Sequence, residues 1–581
     1  MSDPTTTPKL PKDTAAEIGM VNVQVDGVWH QFPRGMRMIE ALESIGVEVP
    51  HYCYHSKLSS PGNCRMCMVE QGMPPRPAPG QDAQYDADGY LPIQWMPRPV
   101  ISCANTVGEN MGIRTKSTLV KEVRNGVMEF ILANHPLDCP ICDQAGECRL
   151  QEFSVGHGNG TSRFQEQKVK KPKNVDIGPR IRLDDERCIM CSRCIRFMNE
   201  VAEDPVLGFT ERGGFTTLAV HPDRKLDHNY GMNTVDICPV GALTSSDFRF
   251  QMRVWFLKET PSIDVNCGTG CNTTIWTRNN VIHRVTPREN NAVNSAWMPD
   301  SHRLNFHYLT SGARLTQPMI KENGTHRAAG WKDAVDAAAA GLKKFAADEI
   351  ALIFSARMTN EELFLTRLLA ESLDLANGDM VPRLAENDGY LIAADRNPNT
   401  GGVKTIMEMD APGSNLAAIR DGVRSGAIKA VVALHENLLK EAGFTPEDLG
   451  KLDFLVSLHI LANPTAAAAD VVFPGAGFAE KSGTMINVTG RLQKLNAAIT
   501  PPGEARDDCR ILADLVYACG GTATATCPKG VFGMLSSAIP AFKDLEFTTL
   551  SPQGVQLIET GVTIPLLDRE QARVKRGEIT G

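Results

Sequence analysis

Twelve side chains in the first 240 residues constrain this chain more than anything else in it. Eleven of its sixteen cysteines, with one histidine, fall into three sets of four: Cys53, Cys64, Cys67 and Cys103; His135, Cys139, Cys142 and Cys148; Cys188, Cys191, Cys194 and Cys238. Each set has a C-x2-C core and at least one more distant member. Any fold this chain adopts must bring the remote member back to its core. Three four-ligand sets in a row form a pattern suited to iron–sulfur clusters that carry electrons.

Bulk properties fit that reading. At 581 residues the chain is long enough for about three to five domains. A hydrophobic share of 42% and a charged share of 22% are those of an ordinary globular protein. The net charge of −8 leaves no basic footprint for nucleic acid. No run of 18 apolar residues is present, so no membrane-spanning helix is expected. The start, MSDPTTTPKLPKDTAAEIG, has no apolar signal core and no arginine, and reads as a flexible arm. The cysteines are then expected in a reducing compartment, where CxxC spacing means metal or redox work rather than disulfides.

Along the chain, residues 21–32 read as two strands joined at Asp26-Gly27, a strong hairpin signal. A short helix follows over 36–44, with Gly46 as its cap. Residues 72–99 are rich in Pro, Gly and Asp and read as a surface loop. From Thr118 to Asn134 the spacing of Leu119, Val123, Val127, Phe130 and Ile131 predicts a helix delivering the chain to His135. Lys168, Lys170, Lys171 and Lys173 lie in a basic connector that reads as a solvated linker. Beyond residue 316, apolar runs at Ile350–Phe354, Ala430–Leu434, Phe454–Leu458 and Val471–Phe473 alternate with helix-like stretches such as Trp331–Ala347 and Asn360–Leu373. That alternation predicts an α/β layer fold with a parallel or mixed sheet.

The first set, C-x10-C-x2-C-x35-C, resembles the plant-type ferredoxin arrangement with an enlarged first loop and predicts a 2Fe–2S site. Gly62 is expected to let the backbone approach inorganic sulfide. The second set, H-x3-C-x2-C-x5-C, suits a 4Fe–4S cluster with one imidazole ligand, or zinc. The third, C-x2-C-x2-C-x43-C-P, predicts a second 4Fe–4S cluster. Structural zinc is the alternative throughout. Cys267 and Cys271 lie in a fourth, degenerate frame: Asp264 and Pro299 stand where a cubane would need cysteines, so Cys267 and Cys271 are predicted not to bind a cluster. Cys509, Cys519 and Cys527 read as packing residues. No cysteine lies between 272 and 508 to ligate molybdenum there, and no nucleotide motif stands out, since Gly475-Ala476-Gly477 lacks a third glycine.

The series C-x10-C-x2-C, HPLDCPICDQAGEC, CIMCSRCIRF and DICPVGALT resembles the large iron–sulfur subunits of respiratory complex I, the NADH–quinone oxidoreductase. Residues 470–474, Glu480, Gly483-Thr484, Asn487 and 490–493 are similar to the molybdopterin-domain signature of that superfamily. The resemblance implies a multidomain α+β and α/β chain. Its segments are a flexible arm over 1–19, a plant-type ferredoxin (β-grasp) domain with 2Fe–2S over 20–105, and a one-His/three-Cys 4Fe–4S domain over 106–160. There follow a ferredoxin-like 4Fe–4S domain over 161–256, a degenerate 4Fe–4S segment over 257–315, and a molybdopterin-oxidoreductase-like α/β domain without metal ligands over 316–581.

It further implies one 2Fe–2S and two 4Fe–4S clusters, with no molybdenum, FMN or NADH on this chain. The subunit would have no active site of its own. It would carry electrons from flavin on a neighbouring subunit through the first set, the Cys188 set and the His135 set to further iron–sulfur subunits and quinone. Its place would be on the cytoplasmic face of a bacterial inner membrane, as a peripheral part of a membrane complex. The rival reading is an electron-transfer subunit of an NAD-linked formate dehydrogenase or hydrogenase.

Overall fold

The computed structural model describes residues 19–579 except 77, 78, 83 and 88, so the expected arm falls, but for Gly19, outside the described residues. The chain divides into two units, 1–255 with 573–581, and 256–572.

In the first unit, strands Met20–Val25 and Val28–Pro33 form the expected hairpin. Its turn residues Asp26 and Gly27 sit at φ 47° and 93°, the left-handed backbone a two-residue hairpin turn requires. Helix Met38–Ser44 follows, and the Gly46 N–H closes it on Glu43 O at 2.9 Å. The first strand also pairs in parallel with Met111–Arg114, which pairs with Met68–Met73. This is a ferredoxin-type grasp around Val21, Val23, Ile39, Leu42, Cys67, Cys103 and Ile113.

Residues 72–99 are more ordered than a surface loop. Gln94–Trp95 pairs with Gly72–Met73, and Ile93 and Trp95 fill the space where a Cβ on Gly72 or Gly112 would stand. Helix Thr118–Ala133 starts at Ser117, whose hydroxyl accepts from Val120 N at 3.2 Å. Its buried face runs through Val120, Arg124 and Met128, while Phe130 is 85% exposed, contrary to the expected stripe. Arg124 can be buried because it donates to Thr115 O at 3.2 Å and Met68 O at 2.9 Å.

The basic connector is a clamp rather than a solvated linker. Lys168 Nζ donates to Leu132 O and Ala133 O at 2.8 Å, placing a cation on the negative end of the helix. Lys173 reaches Glu186 at 2.6 Å and Asp138 at 2.9 Å.

The second unit is built on a seven-stranded sheet. Its order is Thr325–Ala328, Met319–Glu322, Val471–Pro474, Phe454–His459, Ala430–Leu434, Ile350–Phe354, Asn377–Met380, parallel over the last five. The four apolar runs predicted from sequence are four of these strands. Alternation splits them between two cores: Ile350, Leu352 and Phe354 face one side, Ala351 and Ile353 the other. Helices Trp331–Leu342, Asn360–Ser372 and Asp508–Cys519 cover the first face. Cys509 and Cys519 pack there as expected, but Cys527 is exposed at the start of helix Pro528–Ala538.

A buried ion network ties this layer together. Lys481 Nζ lies 2.8 Å from both Glu362 Oε2 and Asp508 Oδ2, and His435 Nε2 lies 2.9 Å from Asp508 Oδ2. Both carboxylates have fully buried side chains, so removing the lysine would strip Glu362 of its cation and leave Asp508 with His435 alone. Lys481→Met is expected to lower stability by about 3–5 kcal/mol, read as a lowered denaturant midpoint in equilibrium unfolding of the chain.

Candidate iron–sulfur site

The three sets converge in the first unit. Tyr52, Cys53, Met66, Met128, Cys148, Leu150, Phe153, Cys191, Val240 and Ala242 form one buried apolar cluster, with Cys64, Cys188 and Cys238 packed against it. Cysteines from all three sets therefore share one dry environment.

In the first set the thiols lie next to one another: Cys53 contacts Cys64 and Cys103, and Cys103 contacts Cys67. Cys67, in the turn just before strand Met68–Met73, is tied to the loop carrying Cys103 by Ser102 N and Oγ, which donate to Cys67 O at 3.0 and 2.9 Å. Gly62, just before Cys64, sits at φ 61°, and a Cβ there would press on Ile101. Its need for glycine is thus met by backbone conformation and by Ile101, whatever lies on the sulfur side.

In the third set Met190 and Ser192 adopt left-handed backbone at φ 50° and 63°, curling the chain between its cysteines. Backbone N–H groups point at sulfur there, Met190 at Cys188 and Arg193 at Cys191, and in the remote segment Val240, Ala242 and Leu243 point at Cys238. Burial pushes the Cys191 thiol up to about 11. A group of buried thiols like this ionises only when a positive centre is among them.

The second set lies against the third. A Cβ on Gly241 would overlap Cys142 Sγ, and Cys148 Sγ lies 3.9 Å from Pro239 O. Burial, against the pull of Asp138, holds the His135 imidazole down to about 4, so it is neutral. Its Nδ1 is buried without a hydrogen-bond partner. A neutral imidazole with an orphaned buried nitrogen has the protonation state and the free donor atom a cluster ligand needs. Asp138 holds this loop by pairing with Arg187 and Lys173, each at 2.9 Å. Arg253 braces it from Cys142 O at 2.5 Å and from Pro140 O.

Two residues that sequence reasoning passed over join the first and third sets. Arg193 donates to Ile237 O at 3.2 Å and to Tyr54 O; Arg196 donates to Cys53 O and Ser59 O. Both sit in CSRCIRF, one turn apart on helix Arg193–Glu200, and that spacing is the signal that could have found them.

In the second unit, Asp264, Cys267, Cys271 and the stretch containing Pro299 form a separate group. Asp264, Cys267 and His302 place their donor atoms within 4.8 Å of one another.

Five family profiles match the chain in tandem. They are the 2Fe-2S iron-sulfur cluster binding domain over 19–118, the NADH-ubiquinone oxidoreductase-G iron-sulfur binding region over 124–163, and the NADH-quinone oxidoreductase subunit 3 ferredoxin-like domain over 178–244. The NDSU1/NuoG-like 4Fe-4S domain of NADH-ubiquinone oxidoreductase follows over 257–307, then molybdopterin oxidoreductase over 389–518. The mitochondrial 78 kDa NADH-ubiquinone oxidoreductase subunit of Candida albicans is 30% identical, with the match covering 86% of this chain and 83% of that one.

The chain belongs to this family.

An NADH-quinone oxidoreductase subunit of Rickettsia bellii is 37% identical over 62% of this chain, a match spanning about half of that relative, 49%. A solved NAD+-reducing NiFe-hydrogenase chain overlaps 40% of this chain and 91% of its own length at 27% identity; its TM-score of 0.33 is too low to bear on function. Within the family, ferredoxin-type, 4Fe–4S and molybdopterin-oxidoreductase domains follow one another here in the order expected from the motifs.

The buried guanidiniums generate a prediction. A fixed positive charge beside a cluster stabilises the added electron, so Arg196→Gln should lower the midpoint potential of the neighbouring centres by on the order of tens of millivolts. Potentiometric EPR titration checks it.

Proposed function

We propose that this chain is an electron-relay subunit of the peripheral arm of an NADH–quinone oxidoreductase. In this reading Cys53, Cys64, Cys67 and Cys103 hold a 2Fe–2S cluster. His135, Cys139, Cys142 and Cys148 hold one 4Fe–4S cluster, and Cys188, Cys191, Cys194 and Cys238 another. The single observation carrying the reading is the shared apolar cluster that contains cysteines of all three sets. Bound there, the clusters would supply one-electron carriers between a flavin- and NADH-binding subunit and further iron–sulfur subunits leading to quinone.

The protein's own residues do the rest. Tyr52, Phe153 and Met128 exclude water, with the Tyr52 and Phe153 rings 5.3 Å apart and Tyr52 Oη 3.3 Å from Met128 Sδ. Backbone N–H groups and the two arginines supply compensating positive charge. His135 replaces a thiolate with a neutral ligand.

The zinc alternative fits less well. Bonds of about 2.0–2.3 Å to a single ion place tetrahedral donors about 3.3–3.8 Å apart. Among the described residues, no three donors of any of the three sets come within 4.8 Å of one another. The second unit is read as scaffold without molybdenum, since its sequence offers no cysteine from 272 to 508. No helix among the described residues is long and apolar enough to cross a membrane, consistent with a peripheral position, which we assign to the cytoplasmic face of a bacterial inner membrane.

Anaerobically purified protein is expected to be brown and to carry about ten iron atoms per chain. His135→Cys should keep its cluster and lower that midpoint potential, because a thiolate adds negative charge. A colourless, zinc-only protein would overturn the cluster reading, and an unmoved potential in potentiometric EPR would overturn His135 as a ligand.

A further inference from the structure

The electron-relay reading makes no use of the loop from Asp264 to Cys271, yet the second unit builds that loop with care. Strand Lys258–Ile263 leads into it and strand Asn272–Arg278 leads out. Asp264 N donates to Cys271 O at 2.8 Å, closing the hairpin at its base. Gly268 N donates to Asp395 O at 2.8 Å, Asn487 Nδ2 to Thr269 O at 3.0 Å and Gln493 Nε2 to Gly270 O at 2.8 Å. A Cβ on Gly268 or Gly270 would overlap Val488 or Gln493. The loop is therefore a fixed knuckle.

Against it stands His302, on the short helix Asp300–Arg303. Asp264, Cys267 and His302 bring one oxygen, one sulfur and one nitrogen within 4.8 Å of one another. Asp264 and Cys267 are buried, and the His302 side chain is 10% exposed. Asp264 is oriented from both sides: Oδ2 meets His302 Nδ1 at 2.6 Å and Oδ1 accepts from Asn266 Nδ2 at 2.5 Å. Cys271, fully buried, stands at the far end of the knuckle.

We propose that this is a mononuclear site for a zinc-class divalent ion, held by the Asp264 carboxylate, the Cys267 thiolate and the His302 imidazole, with the fourth position open to solvent or a further ligand. A mixed oxygen, nitrogen and sulfur set suits a borderline-soft ion. The span of the three donors fits one ion with bonds of about 2.0–2.3 Å, whereas a cubane holds its ligands farther apart and favours thiolates. The frame has lost two cysteine positions, to Asp264 and Pro299, and His302 lies three residues beyond the second. Binding releases the thiol proton of Cys267, and the imidazole nitrogen that meets the ion binds as a lone-pair donor with the ring proton on the other nitrogen, so no electron moves.

The test uses the full chain, saturated with zinc and then dialysed against EDTA. Zinc is counted by mass spectrometry and its ligands read by zinc-edge X-ray absorption. Expected is about one zinc per chain, with sulfur and nitrogen or oxygen in its shell. Cys267→Ala and, separately, His302→Gln should each reduce retained zinc at least about tenfold, while Cys527→Ala leaves it unchanged. Iron content and cluster EPR report on the first unit, so loss of zinc with iron retained is distinct from failure of the electron-relay reading. Wild-type protein that keeps no zinc, a shell without sulfur, or wild-type zinc retention in both ligand variants would overturn the site.

Discussion

The first unit is organised by the cost of burying sulfur and positive charge together. Thiols pressed against one another in an apolar cluster resist ionisation, and guanidiniums resist leaving water; each is tolerable where the other compensates it. Arg193 and Arg196 are held in place by backbone carbonyls of the Cys53–Ser59 loop and of Ile237, so the positive charges cannot drift from the sulfurs they serve. Arg187 and Lys173 do the same for the His135 loop by fixing Asp138. The hairpin, the helix entering at Ser117 and the lysine-rich connector are the framework that keeps this arrangement closed.

The second unit solves a different problem. Its parallel strands are buried on both faces, and the polar groups at their ends gather into the Lys481, Glu362, Asp508 and His435 network. That network is distant in sequence from the cysteine motifs and made of ordinary charged residues. Its role in the fold is to pin helices Asn360–Ser372 and Asp508–Cys519 to the layer. The knuckle at Asp264–Cys271 lies in this same unit, which gives it a rigid surround independent of the cluster sites.

Much of the fold was legible from the chain. Asp26-Gly27 announced its hairpin because few other pairs tolerate two left-handed residues in succession. Four apolar runs announced four sheet strands because strands buried on both faces admit little else. Misreadings arose where tertiary contacts overrode composition. The loop over 72–99 contributes a strand because Ile93 and Trp95 find the notch made by Gly72 and Gly112. The lysine connector became a clamp because helix-end carbonyls and buried acids awaited it. Phe130 lies off the buried face, which runs through Val120, Arg124 and Met128, with Arg124 made tolerable there by two carbonyl acceptors.

What the sequence determined by itself was the membership of the sets: spacing such as C-x2-C-x2-C is local, and ligand chemistry follows from residue type. What only the folded chain decided was their neighbourhood. Gly241 beside Cys142, Arg196 beside Cys53 and His302 beside Asp264 each join residues between 38 and 143 positions apart. Such encounters are set by how strands and helices pack, and packing depends on the whole surface an element buries rather than on any motif it carries.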